Sequence, residues 1–147
     1  MILQNIGLFF LRTAFAITLL FYHGRDEAIA AWGYIWREPS APWPTLDIIA
    51  KAGYSLPAVV PGSILALGII AIIFLILGFA TRIAAGILTF IIGCAAWVFW
   101  KTGLGSALET TVAFALISLA LLFLGGGQLG LDRFFRKRAK SGANYYA

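Results

Sequence analysis

The sequence predicts an all-α fold, an integral membrane four-helix bundle with an aromatic, proline-rich external loop. Three observations lead there. The chain has 147 residues, of which 61% are hydrophobic and only 12% charged, with a mean hydropathy of +0.92. A soluble domain is nearer half apolar and a quarter charged. Four apolar runs approach the length needed to cross ~30 Å of hydrocarbon as a helix. All connections but one are too short to hold a second folding unit, so residues 1–132 form one four-span domain, followed by a basic tail at 133–147.

The first span covers residues 6–22 and reads IGLFFLRTAFAITLLFY. It lacks a basic leader and an A-x-A site, so a cleaved signal peptide is not expected. Its one charge, Arg12, is costly at that depth and must snorkel, pair or line a cavity. At helical spacing Arg12, Ala16, Leu19 and His23 share one face. Residues 23–57 then form the one long loop. Trp32, Tyr34, Trp36 and Trp43 suit headgroup depth, and Pro39, Pro42 and Pro44 break helix between them. Within the loop, Thr45 as N-cap and Gly53 as C-cap predict a short helix over residues 46–52. The whole loop is expected to lie as a cap on the outer membrane face.

The second span, 58–80, contains no charge and is followed after Thr81-Arg82 by the third, 83–100. So short a break, with Gly78 before it, demands a tight helical hairpin. The fourth span, 104–124, is interrupted early by Glu109 and stopped by Gly125-Gly126-Gly127. Gly68, Gly78, Gly86 and Gly93 suit close packing between helices. Cys94, the single cysteine, fits a packed and inert thiol.

Four spans put both termini on one side, together with Arg82 and the basic tail residues Arg133, Arg136, Lys137, Arg138 and Lys140. The other side holds Arg25, Arg37, Lys51 and Lys101, offset by Asp26, Glu27, Glu38, Asp47 and Glu109. The positive-inside rule therefore predicts cytoplasmic termini. The formal charge of +5 is thus an orientation signal rather than a nucleic-acid footprint. Phe134-Phe135 amid basic residues suits a juxtamembrane anchor on anionic lipid.

Soluble-enzyme motifs are lacking: there is no G-x-S-x-G, no Walker loop and no G-x-G-x-x-G after a strand. One histidine cannot build a bis-histidine haem site, and no metal site is expected. Ionisable residues at membrane depth remain. The topology places His23 and Glu109 at similar depth near the external face. A histidine facing a carboxylate suits a proton relay, or a hydrogen-bond site for a carbonyl ligand such as a quinone. The competing reading has both residues tie helix ends together. Arg12, in the inner half, either lines a ligand path or latches the first helix to the fourth near Asp132. Arg82 fits an interfacial, structural charge.

Taken in order, these motifs resemble the DoxX family of small bacterial four-span membrane proteins. The resemblance rests on Arg12, then His23-Gly24, then the run from Leu77-Gly78 through Thr81-Arg82 to Ala84-Ala85, then Glu109 and the glycine-rich exit at 125–132. It departs from the pattern where members often carry a lysine, here Glu27, and where many carry a glutamate, here Gly68. The first loop is also longer than usual.

The resemblance implies a bacterial inner-membrane protein in a redox setting, alongside terminal oxidase or thiosulfate:quinone oxidoreductase systems. The expected role is a small subunit or partner of a quinone-linked complex. Such a chain is not expected to be catalytic alone, acting in an enzyme only as a quinone-linked oxidoreductase subunit, and no covalently bound cofactor is expected. Its partners would be the bilayer and redox subunits, not nucleic acid, with self-association left open. A small transporter with Arg12 and Glu109 along a polar path, and a non-catalytic scaffold or assembly factor, are the alternatives.

Overall fold

The computed structural model describes residues 2–37 and 42–125, and helices are its only regular elements. Four of them are long and apolar enough to cross a membrane, which defines a multi-pass membrane protein. Glu38, Pro39, the glycines after Gly125, Asp132, Phe134-Phe135 and the basic tail fall outside the described residues.

The first span is longer than the sequence predicts. Helix α1 (Ile2–Leu19) passes through a π-helical turn, Leu20–Gly24, into α2 (Arg25–Trp32) and a second π turn, Gly33–Arg37. Residues Asn5–Arg37 thus form one helix of 33 residues, and the first part of the expected loop is helical. The reason is local. Gly24 and Gly33 keep ordinary helical dihedrals, the stretch RDEAIAA consists largely of helix formers, and no proline intervenes before Pro39. After the proline-rich stretch comes α3 (Pro44–Lys51), with Pro44 in the first turn, where its missing N–H costs nothing. Trp43, not Thr45, is the N-cap residue. Ala52, not Gly53, is the C-cap residue; Gly53 follows it in the left-handed conformation, its N–H donating to the Ala50 carbonyl and that of Tyr54 to Ile49.

The remaining spans lie close to their predicted bounds, as α4 (Val59–Leu77), α5 (Thr81–Thr102) and α6 (Gly105–Leu124). Between α4 and α5 the chain turns on Gly78 and Ala80, both left-handed, at φ 68° and 46°. Helices α5 and α6 pack along their length; α4 lies on α5, and α1 on α4. The circuit closes where Phe15 and Phe114 meet edge to face at 5.9 Å.

The tightest packing lies at the end holding the α4–α5 hairpin. There Phe15, Ala16, Leu19, Ala71, Ile72, Leu75, Ala84, Ala85, Leu88 and Leu121 form one buried cluster. One hydroxyl bond crosses it, Thr89 Oγ1 donating to Ser118 Oγ at 3.0 Å, the kind of interhelical polar contact worth ~0.6 kcal/mol in a membrane. Gly86 lets Leu122 approach, and Gly68 is buried against Ile91. Gly93 and Cys94 correct the expectation of close packing: both are exposed on the outer face of α5, and a Cβ at Gly93 would meet nothing. Beyond Leu88 no α5 residue is buried, so packing thins toward the other end, where α3 sits.

Candidate functional site

Arg12 is 1% exposed, the largest fully buried side chain among the described residues. Its guanidinium lies over Gly78, so closely that a Cβ there would stand 2.6 Å from Nη1 and 2.8 Å from Cζ. Gly78 ends α4 in the left-handed conformation, its N–H donating to the Leu75 carbonyl and that of Phe79 to Phe74. The cation therefore sits at the negative end of a helix dipole, which offsets part of its desolvation. The Phe9 ring, 5.5 Å from Cζ, adds a cation–π contact. Arg82 repeats the arrangement one helix further on: its Nε lies 2.9 Å from where a Cβ of Gly125 would be, at the end of α6. A latch to the glycine-rich exit is thus made by Arg82, while Arg12 binds α1 to the α4–α5 hairpin. Asp132, its expected partner, lies outside the described residues.

The predicted stripe from Arg12 to His23 does not hold. Arg12, Ala16 and Leu19 of that stripe are buried, but the next buried residue is Gly24, and His23 is exposed. The π turn is the cause. The Arg25 N–H donates to the Leu20 carbonyl, five residues back rather than four. One surplus residue enters the turn and everything beyond shifts phase. His23 leaves the core face and meets the edge of Phe114, with ring centroids 5.5 Å apart. π turns recur at functional sites, where they re-aim a side chain.

Glu109 is exposed and makes no hydrogen bond or ion pair among the described residues. On α6 the inward line is Thr111, Phe114, Ser118 and Leu121, whereas Glu109 shares the outward line with Val112, Leu116 and Phe123. His23 and Glu109 therefore do not face each other. The signal was present in the sequence: Thr111 and Ser118, seven apart, mark the inner face, and Glu109 lies about 200° from Thr111.

Two polar clusters at the α3 end escape sequence reasoning. Glu27 accepts hydrogen bonds from Trp43 Nε1 at 2.9 Å and Thr45 Oγ1 at 2.5 Å. These bonds hold α3 to α2 and bury Trp43, which is 2% exposed. Tyr34 packs on Trp43 with ring centroids 5.8 Å apart. The position calls for an acceptor, which a carboxylate supplies and a lysine could not. In the second cluster Trp97 Nε1 donates to the Tyr54 hydroxyl at 3.3 Å, and Lys101 Nζ lies 4.7 Å from the Tyr54 ring centroid. The Trp97 hydrogen bond first, then the Lys101 ammonium, hold the Tyr54 phenol below its ordinary value.

Fold and geometry together define a four-span membrane protein with an arginine-pinned hairpin end and an aromatic cap. Comparison with known protein families, characterised proteins and solved structures finds no match.

Proposed function

We propose that this chain is a small subunit or partner of a quinone-linked redox complex, of the DoxX type its motifs resemble. It would sit in a bacterial inner membrane with both termini in the cytoplasm. Arg82, on the hairpin end where α1 begins and α6 ends, supports that orientation through the positive-inside rule, and the α3 cap then faces outward.

One observation supports the ligand reading above its rivals. The π turn at Leu20–Gly24 takes His23 out of the core and offers its imidazole beside Phe114. This lies where packing thins and a lipid-borne carbonyl ring can reach it. A neutral imidazole supplies one donor and one acceptor, enough to hydrogen-bond a quinone oxygen and pass a proton. Glu109 has no part in that site. The transporter reading is the weaker one, because Arg12 is packed on Gly78 and Glu109 faces outward, so the two do not line a common path.

The test is mild-detergent purification, with mass spectrometry of co-eluting proteins and extracted quinone. Wild type is expected to retain both redox subunits and quinone. His23→Phe is expected to lose most of the quinone at unchanged yield, and Glu109→Gln to lose none. Equal quinone in wild type and folded His23→Phe refutes the site; absence of any redox subunit refutes the complex.

A further inference from the structure

The long first helix poses a problem of length. At ~1.5 Å per residue, α4, α5 and α6 are about 29–33 Å long and match the hydrocarbon core, while Asn5–Arg37 is about 50 Å. Standing straight, it would carry residues 25–37 far into water. Those residues bear large exposed apolar side chains: Ile29 and Trp32 at 60% and Trp36 at 70%. The two indoles lie 5.5 Å apart, on the side away from Ala31, which is buried.

Two contacts fix the depth of this helix at both ends. Arg12 lies against Gly78, and Ile35 Cδ1 lies 3.3 Å from the Cβ position of Gly62, in the first turn of α4. Between those contacts the first helix has about 34 Å of path and α4 about 24 Å. The first helix must therefore lean, by about 45° on average if the contacts mark equal depths. The π turns at Leu20–Gly24 and Gly33–Arg37 are places where a helix can bend. Ile35 consequently lies level with the start of α4, at the bilayer surface rather than above it.

We propose that residues 25–37 form an in-plane helix seated in the headgroup layer of the leaflet at the α3 end, with Ile29, Trp32 and Trp36 as its lipid anchors. Indole prefers that layer, having an apolar body and one N–H to satisfy. The stripe continues the exposed face of α1 through Ile17, Phe21 and Tyr22. Arg25, Asp26 and Arg37 are exposed along the segment, where headgroups solvate charge. The opposite side is occupied, since Glu27 and Tyr34 hold Trp43. The proposal does not depend on the quinone reading.

The full chain is reconstituted in phosphatidylcholine–phosphatidylglycerol vesicles as three single-tryptophan proteins that keep Trp32, Trp36 or Trp43, with the other indoles replaced by Phe. Nitroxide-labelled lipids carry the quencher either near the headgroup or deep in the acyl chain. The shallow label is expected to quench Trp32 and Trp36 at least twofold more than the deep label does, and more than it quenches Trp43. Acrylamide should quench both several-fold less than in the denatured chain. Acrylamide access at the denatured level with no lipid quenching overturns the proposal and makes the stripe a water-facing surface for a protein. If a tryptophan variant does not fold, Ile29→Cys in a Cys94→Ser background carries a spin label. Greater relaxation by oxygen than by a water-soluble nickel chelate is then expected, and the reverse overturns the proposal.

Discussion

Replacing Gly78 with alanine tests the Arg12 latch directly. At φ 68° and ψ 31°, any L side chain costs about 1–2 kcal/mol in backbone strain. The new Cβ would also stand 2.6–2.8 Å from three guanidinium atoms of Arg12, which is 1% exposed and has nowhere to retreat. Displacing that cation from the end of α4 forfeits its dipole contact, about 2 kcal/mol for a buried geometry. The expected loss is therefore about 3–4 kcal/mol. Gly53 supplies the control. It too is left-handed, at φ +88°, but nothing lies within 4 Å of its Cβ position. Gly53→Ala should cost only the strain, about 1–2 kcal/mol. The assay is reversible SDS-induced unfolding in bicelles, followed by circular dichroism. In an Arg12→Ala background the cost of Gly78→Ala should fall to that of Gly53→Ala, a coupling of about 2 kcal/mol. A Gly78→Ala cost equal to that of Gly53→Ala, or a cost undiminished without Arg12, refutes the latch.

Glu27→Ala should free α3 from α2 at a cost of about 2 kcal/mol, since hydrogen bonds to a charged acceptor are worth ~1.5–3 kcal/mol. Its signature is a red shift in the emission of a protein retaining only Trp43, with Glu27→Gln intermediate because the amide keeps one acceptor oxygen; unchanged emission counts against the contact. Tyr54 should ionise at lower pH than an ordinary phenol in an absorbance titration, and that phase should vanish in Tyr54→Phe. Trp97→Phe and Lys101→Met should each move it upward. Because the folded state lowers this pKa, the tyrosinate contribution is fully present above the unfolded tyrosine value and lost as pH falls through the folded one. Wild type should therefore gain stability over Tyr54→Phe only as pH rises through that alkaline window.

The four spans are legible in the sequence because lipid forces every backbone group into a helix and length alone then limits the count. The hairpin is legible too, since Gly78 and Thr81-Arg82 leave few ways to turn. What the sequence hides is phase. A surplus residue at Leu20–Gly24 has no hydrophobic signature, so the stripe linking Arg12 to His23 looks sound until the Arg25 N–H is seen to reach Leu20. The Glu27–Trp43 bond joins residues on either side of a proline-rich stretch and cannot be inferred from either alone. Glu109 differs: its outward direction follows from Thr111 and Ser118, once polar spacing on α6 is weighed above shared depth.

Each π turn behaves as a one-residue cog in the first helix. Deleting one residue from Leu20–Gly24 would restore an ordinary α turn and leave everything beyond it in its present phase relative to the anchored hairpin end, because the π turn already absorbs that residue. Glu27 would still meet Trp43, and the paired indoles would keep the side they now occupy. One deletion in this stretch should therefore be tolerated, whereas a second would rotate everything beyond by about 100°, a constraint on sequence length rather than on the identity of any side chain.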